Sequence, residues 1–364
     1  MRMDYKDQTQ ERSLHAYMIP PNNLDDVYDE LTGCDWSTLT ISAAYYTDAR
    51  VSGSLRVVNS NYKRGTFIRI VVDTEDDSQE LGTFAVSNDA GERINGAYVQ
   101  TLELISRLHT LSLDYMPDIL TLGAGSLAKT AFEKTLTETG MTKAQYNLKD
   151  ALDYRISSVL VMEAGTTRLS RLFELSSLSG NRIDVDGHGR ITLSRYILPA
   201  NKTPKYTLDT EDERGIVMDG ISRESTWTET PTRCIVAYDY TEGTGDDSRQ
   251  IHMYGEAWNN KTDPRGYWIT DYQTVSDLNP ATKANLTAMA KKNLQEQSTE
   301  KNEWTLTAKF IPNLWEGDVV ELIIHDDFDG YTGTRKCLVK NLDISGPYLD
   351  MTMTLKETSG GDDE

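Results

Sequence analysis

The chain has 364 residues, of which 38% are hydrophobic and 26% charged, and it carries a net charge of −20 from 37 Lys+Arg against 57 Asp+Glu. That length predicts about two to three domains, and the composition is that of a globular chain, not a disordered or collagen-like one. The acidic balance speaks against tight nucleic-acid binding, which draws its affinity from basic groups that displace phosphate counterions, and against docking on anionic membranes.

No apolar run approaches the roughly 18–20 residues that span a bilayer, so no membrane anchor is expected. Met1–Gln8 is polar and does not read as a signal peptide. Cys34, Cys234 and Cys337 are scattered, which gives neither a disulfide framework nor a zinc pair and fits folding in a reducing cytoplasm.

In chain order, residues 1–34 are polar and mixed, and Asn23–Leu31 is expected to form a short helix. From Trp36 the texture becomes strand-like, rich in Val, Ile, Thr and Tyr. The predicted strands are Trp36–Tyr46, Val51–Val58, Thr66–Val72, Gly82–Ser87 and Tyr98–Ile105. Residues 126–180 read as helical. Ser126 is the expected N-cap of a first helix stopped by Gly140, and a second runs from Thr167 to Ser179 before Gly180. A hairpin, Arg182–Val185 and Arg190–Leu193, turns at Asp186-Gly-His-Gly189. After a Pro- and charge-rich linker at 199–215, strand texture returns from Ile216. One helix interrupts it at 280–297, with Asn279 as N-cap, Pro280 in the first turn, and Leu286, Met289, Ala290 and Leu294 as its apolar stripe.

The two β-rich regions match each other. Arg64-Gly65-Thr-Phe-Ile-Arg-Ile-Val-Val72 is similar to Glu316-Gly317-Asp-Val-Val-Glu-Leu-Ile-Ile324. Leu81-Gly82-Thr83 is similar to Thr332-Gly333-Thr334, and Gly96-Ala-Tyr98-Val99 to Gly346-Pro-Tyr348-Leu349. The order is turn glycine, strand, hairpin glycine, strand, turn glycine, strand. Such apolar runs belong to strands buried on both faces or at a subunit contact.

This order of elements resembles the tail hub proteins of tailed bacteriophages, the baseplate hubs of contractile tails and the tail-tip hubs of siphophages. The residues that carry the resemblance are Arg168-Leu-Ser-Arg-Leu-Phe173 leading into Asp184-Val-Asp-Gly-His-Gly-Arg-Ile-Thr-Leu193, and the strand Trp315-Glu-Gly-Asp-Val-Val-Glu-Leu322. The resemblance covers roughly residues 30–358. It implies a mainly β fold with α insertions (α+β), in which two tail-tube-like β-barrels flank a helical and hairpin region. The expected units are an N-terminal segment at 1–34, a first barrel at 35–115, the insertion and linker at 116–215, a second barrel at 216–358 and a flexible tail at 359–364.

The resemblance also implies a structural, non-enzymatic virion protein that assembles as a homotrimer. Three chains of two barrels would match a sixfold tail tube and line part of the DNA exit channel. The implied partners are further copies of the chain, a distal tail protein or tail tube protein, a tape measure protein, and receptor-binding or fibre proteins. DNA would pass without tight nucleic-acid binding. The strands expected to meet other subunits are Phe67, Ile68, Ile70 and Val72, and Val319, Val320, Leu322 and Ile324. The alternative for these residues is that each fills its own barrel core.

Motifs for chemistry are thin. Asp184-Val-Asp186-Gly-His188-Gly189 resembles half a calcium loop, but position twelve is Arg195 where a bidentate Glu belongs. It reads better as an Asp/Gly hairpin turn, as does Asp327-Phe-Asp329-Gly330. Ser126-Leu-Ala-Lys129 matches Ser-x-x-Lys without the companion motifs of acylating enzymes. His15, His109, His188, His252 and His325 are far apart, and no cofactor motif is present. Trp258, Tyr267, Trp268 and Tyr272, around an expected Asp263–Gly266 turn, offer a second reading, a carbohydrate- or cell-surface-binding β-protein. A cell-wall hydrolase is a third.

Overall fold

The computed structural model describes residues 11–47, 50–74, 77–157, 159–212, 214–218, 220–225, 231–242, 249–259, 267–275, 282–297, 302–328 and 331–358. The expected helix cap at Asn279-Pro280, the turns at 263–266 and 329–330, and the tail at 359–364 lie outside them.

The first module starts earlier than Trp36. Strand β1 (Ser13–Ile19) runs antiparallel to a later strand, and the expected helix at Asn23–Leu31 is instead a pair of turns followed by the short β2 (Asp29–Glu30). Pro20-Pro21 and Asn23 favour turns over a helical run, and pairing of β1 with β2 takes up the backbone groups. Then follow β3 (Cys34–Ala44), β4 (Val51–Val58), β5 (Phe67–Asp73), β6 (Ser78–Ile94) and β7 (Ala97–Ile105). They lie in the order β3-β4-β7-β6-β5-β1, with every neighbour antiparallel.

The middle region begins with α1 (Arg107–Ser112), β8 (Leu120–Leu122) and α2 (Ala128–Thr137). It continues through β9 (Tyr146–Asn147), β10 (Leu160–Met162), α3 (Arg168–Leu178), β11 (Asn181–Val185) and β12 (Ile191–Arg195). Only 128–137 and 168–178 of the stretch 126–180 are α-helical, because this region is a strand-exchanged repeat with an interval of 40 residues. The Gly125 amide donates to Ile156 O (2.7 Å) and the Gly165 amide to Met116 O (2.9 Å). Ala128 donates to Tyr154 O (3.0 Å) and Arg168 to Asp114 O (2.8 Å). Each copy thus lends an extended segment to the start of the other's helix, and β8 pairs with β10 between them. The exchange also displaces the expected cap. The residue before α2 is Leu127, with no side-chain cap bond, while Thr167 at the same place before α3 accepts from the Ser170 amide. Phe132, Leu136, Leu172 and Leu175 bury the facing sides of the two helices.

The second module opens with β13 (Tyr206–Asp209) and β14 (Ser222–Ser225). A small sheet is then inserted: β15 (Arg233–Glu242), β16 (Arg249–Trp258), β17 (Thr270–Val275) and α4 (Lys283–Gln297). The apolar stripe of α4 behaves as expected, with Leu286, Ala290 and Leu294 buried against Cys234 and Val236. The module resumes with β18 (Asn302–Ala308), β19 (Val319–Phe328), β20 (Tyr331–Ser345) and β21 (Asp350–Glu357). Trp304, Leu306 and Ala308 of β18 and Met351, Met353 and Leu355 of β21 point inward at every second residue, the period of a half-buried sheet.

The second module lies in the order β14-β18-β21-β20-β19-β13, the order of the first. The registers agree. Ile68 opposite Phe84 answers to Val320 opposite Cys337, and Leu55 opposite Leu102 to Leu306 opposite Met353. Gly65 and Gly317 each stand two residues before their strand, with φ of 85° and 83°. The middle glycines do not correspond: Gly82 lies opposite Ile70, while Gly333 lies opposite Ile324. A bulge between Ile70 and Val71 shifts the first module at that point. The outermost strand also differs, since β1 is antiparallel to β5 and β13 is parallel to β19.

The fold is mainly β with few helices. Among the described residues no pairing closes either module into a barrel. The modules instead join through β3 and the distal half of β20, so their strands form one continuous sheet.

Candidate functional site

The eight residues expected at subunit contacts sit in or against the chain's own core. Ile68, Ile70, Val72, Val320, Leu322 and Ile324 belong to the main cluster, and Val319 packs on Tyr45 and Leu338. Phe67 is half-buried beneath the Arg107 guanidinium, 5.2 Å from the ring centre. The edges of β5 are taken by β1 and β6, and those of β19 by β13 and β20. The alternative role, core filling, is where the side chains lie. Both faces of β5 are buried because the β11–β12 hairpin covers the second one, which carries Phe67, Arg69 and Val71.

That cover uses the Asp186–Gly189 turn. Arg69 donates to His188 O (3.2 Å), Thr83 Oγ1 to Gly187 O (2.8 Å), and Arg107 to Gly189 O (2.6 Å). The carbonyl oxygens of the calcium-like loop are therefore turned onto an arginine-rich strand face. Burial holds the Arg107 guanidinium down at about 10. Gly189 has φ +83°, and a Cβ there would stand 2.9 Å from Thr83 Cβ, so the turn must be glycine to sit this close.

Three parts of the chain meet at one charged junction. The first module brings Tyr45 and Arg50, β11 brings Arg182 and Asp184, and the turn before β19 brings Glu316 and Gly317. Arg182 reaches Asp184 at 2.9 Å and Glu316 at 3.6 Å, and lies over the Tyr45 ring at 4.2 Å. Arg50 donates to Tyr45 O (3.0 Å) and Lys202 to Gly317 O (2.6 Å). The Glu316 side chain is 5% exposed. Burial, and then Asp184, push its carboxyl up to about 8, while Arg182 and Arg50 pull it back. Arg50, Arg182, Asp184, Lys202, Glu316 and Gly317 line a cleft of about 710 Å³. The contacts of Arg50, Arg182 and Glu316 tie three parts of the fold together at this cleft.

The other candidates remain apart. Lys129 of Ser-x-x-Lys lies 3.9 Å from Asp153. His15, His188, His252 and His325 each pair with a different carboxylate: Glu30, Glu80, Asp239 and Asp209. Among the described residues no three His, Cys, Asp or Glu gather within reach of one metal ion. Trp258 and Trp268 pack edge to face at 5.0 Å, with Tyr267, Trp268 and Tyr272 more than half exposed. No helix of the described residues is long and apolar enough to cross a membrane.

No family model matches the chain, and no curated protein does. Solved structures match over nearly all of it. A tail protein from Neisseria meningitidis aligns at a TM-score of 0.68 and 17% identity, covering 95% of this chain and 97% of that one. The 43 kDa tail protein of prophage MuSo2 from Shewanella oneidensis aligns at 0.64 and 12%, covering 96% and 98%. The chain has a phage tail protein fold. An Escherichia coli type VI secretion component, described as structurally similar to the T4 tail proteins gp27 and gp5, shares it at 0.50 and 10%, covering 90% of this chain and 76% of that one. These matches run along both modules and the stretches between them.

The hairpin of β11 and β12 was legible in the sequence. Sequence reasoning missed the 40-residue repeat, for which Gly125/Gly165 and Gly140/Gly180 were the available signal. It also missed the Glu316 cluster, whose members come from three distant segments.

Proposed function

We propose that the chain is a structural virion protein, a homotrimeric tail hub at the baseplate or tail tip, made in the host cytoplasm. It caps the tail tube, joins it to the receptor-binding apparatus and lines part of the DNA exit channel. The observation that carries this reading is the shared strand order of two modules in one chain, which lets three chains present six similar units to a sixfold tube. The open sheets support it too: modules that do not close on themselves close as tube-like barrels in a ring, which removes their edges. The partners are a distal tail or tail tube protein, the tape measure protein and receptor-binding or fibre proteins. The role is mechanical, with no catalytic step.

Light scattering tests the trimer, with about 123 kDa expected for three chains of 41.0 kDa. A monomer or dimer at every concentration refutes it. Part of the acidic charge is assigned to the channel wall, where it repels phosphates and lets DNA slide through. Duplex binding by the purified protein at moderate salt contradicts that assignment. The exposed Tyr267, Trp268 and Tyr272 favour a second reading, contact with a cell-surface carbohydrate, tested by glycan-array binding lost in Trp268→Ala.

A further inference from the structure

We propose that the charged cleft where the first module, β11 and the turn before β19 meet binds one tetrahedral dianion, sulfate or hydrogen phosphate, between Arg50, Arg182 and Lys202. The site lies within a single chain and does not depend on the trimer.

The argument starts from the charges on the cleft walls, five cations and six carboxylates around about 710 Å³ of space. Most of them have partners close by. Lys205 lies 2.9 Å from Asp318, Glu80 3.3 Å from His188 and Asp186 3.8 Å from Arg190. Arg195 and Asp150 add one charge of each sign. What remains is Arg50, Arg182 and Lys202 against Asp184 and Glu316. Burial, and then Asp184, hold the Glu316 carboxyl up at about 8. Below that pH the three cations therefore share one ionised carboxylate. Two positive charges are left over at a place where burial makes unmatched charge costly.

The side chains bear the marks of that shortage. Arg50 is only 9% exposed; its Nη1 donates to Tyr45 O (3.0 Å), but its buried Nε has no hydrogen-bond partner among the described residues. Burial, and then the Arg182 charge, hold both Arg50 and Lys202 below their ordinary values, and each carboxylate acts on them less than Arg182 does. Arg182 turns Nε and Nη2 to one and the same Asp184 oxygen, at 3.0 and 2.9 Å. Lys202 uses one of its three donors on Gly317 O (2.6 Å). The backbone is also strained where Arg50 is set. Its φ of 55° lies in the left-handed region that arginine rarely adopts, and such strain persists where the surrounding fold fixes a side chain for use.

A dianion matches the two surplus charges. A tetrahedral ion offers four oxygens to cations that arrive from three parts of the fold, and a guanidinium fork fits a pair of them. The charged groups around Glu316 are Arg50 from the first module, Arg182 and Asp184 from β11, and Lys202 from the linker, while Asp318 is held by Lys205. As Glu316 ionises, the surplus falls from two charges to one. Dianion binding therefore weakens as pH rises through about 8.

The test is calorimetric titration of the full-length chain with sulfate, which is a dianion at every pH used. One ion per chain is expected to bind saturably at pH 6.5, and chloride at the same ionic strength is not. Inorganic phosphate at pH 7.5 is expected to compete with it. Lys202→Gln and Arg182→Gln should each lose about ten- to a hundredfold in affinity, the range of one charge-assisted hydrogen bond, with circular dichroism checking that each variant is folded. In the native chain the affinity should fall between pH 6.5 and 9, and in Glu316→Gln it should stay level. Absence of saturable binding overturns the proposal. Binding that survives both cation substitutions in folded variants, or that stays level with pH in the native chain, marks an adventitious ion only and overturns it too. If neither cation variant folds, the pH comparison between the native chain and Glu316→Gln decides.

Discussion

Replacing Glu316 with Gln removes a carboxyl that the fold holds mostly protonated. The group is buried between Arg182 and Asp184, and its value of about 8 stands well above the 4.5 of a free glutamate. A folded-state value raised in this way makes the protein most stable below the unfolded value. Stability is then withdrawn as pH rises through the window from about 4.5 to 8. The slope in that window is about 1.4 kcal/mol per pH unit, so between pH 5.5 and 7.5 the native chain should lose about 2–3 kcal/mol that the Gln variant keeps. The value of about 8 already contains the pull of Arg182 and Arg50, each of which favours the ionised form. Urea midpoints at pH 5.5, 6.5 and 7.5, at low salt and followed by tryptophan fluorescence, measure it; Trp315 adjoins the site. The expected result is a gap between variant and native chain that widens with pH. Parallel curves with a constant offset refute the reasoning, because they mean that Glu316 titrates alike folded and unfolded.

Two further outcomes test the packing. A Cβ on Gly255 would stand 2.1 Å from the Thr287 amide nitrogen of α4, so Gly255→Ala should push the helix off its sheet, costing about 1–3 kcal/mol and raising protease sensitivity at 283–297. Arg107→Leu leaves the Gly189 carbonyl without its 2.6 Å donor, and should cost about 1–3 kcal/mol and loosen the β11–β12 hairpin, read as faster amide exchange at 186–190.

What was legible in the sequence was what residues settle locally. Gly65 and Gly317 announce a left-handed turn before a core strand, and the Val/Ile runs after them are core strands. Thr167 announces a helix start because its hydroxyl caps one. Leu127 hides the same start because its side chain cannot cap, and the Ala128 amide is met instead by Tyr154 O, 26 residues further on. The middle glycines misled as well: with Gly65 set on Gly317, Gly333 stands opposite a core residue two places beyond the one that Gly82 faces, more than the single residue the Ile70–Val71 bulge adds. For Phe67–Val72 and Val319–Ile324 hydrophobicity marks what is buried, not by whom, and most of these side chains lie in the chain's own core. Free edges follow from pairings such as Thr40 with Ser345, which no local pattern encodes.

The join between β3 and β20 has a cost in time. Ala44 leaves the ribosome about 300 residues before its partner Asn341. At roughly 5–20 residues per second, the edge carrying Ile41 waits roughly 15–60 s for its strand. Non-local pairing of this kind is slow and exposes the nascent chain to self-association. A chain broken off before Asn341 never covers that edge. It presents an apolar strand where a finished copy presents closed sheet, which leaves unfinished copies open to aggregation and proteolysis.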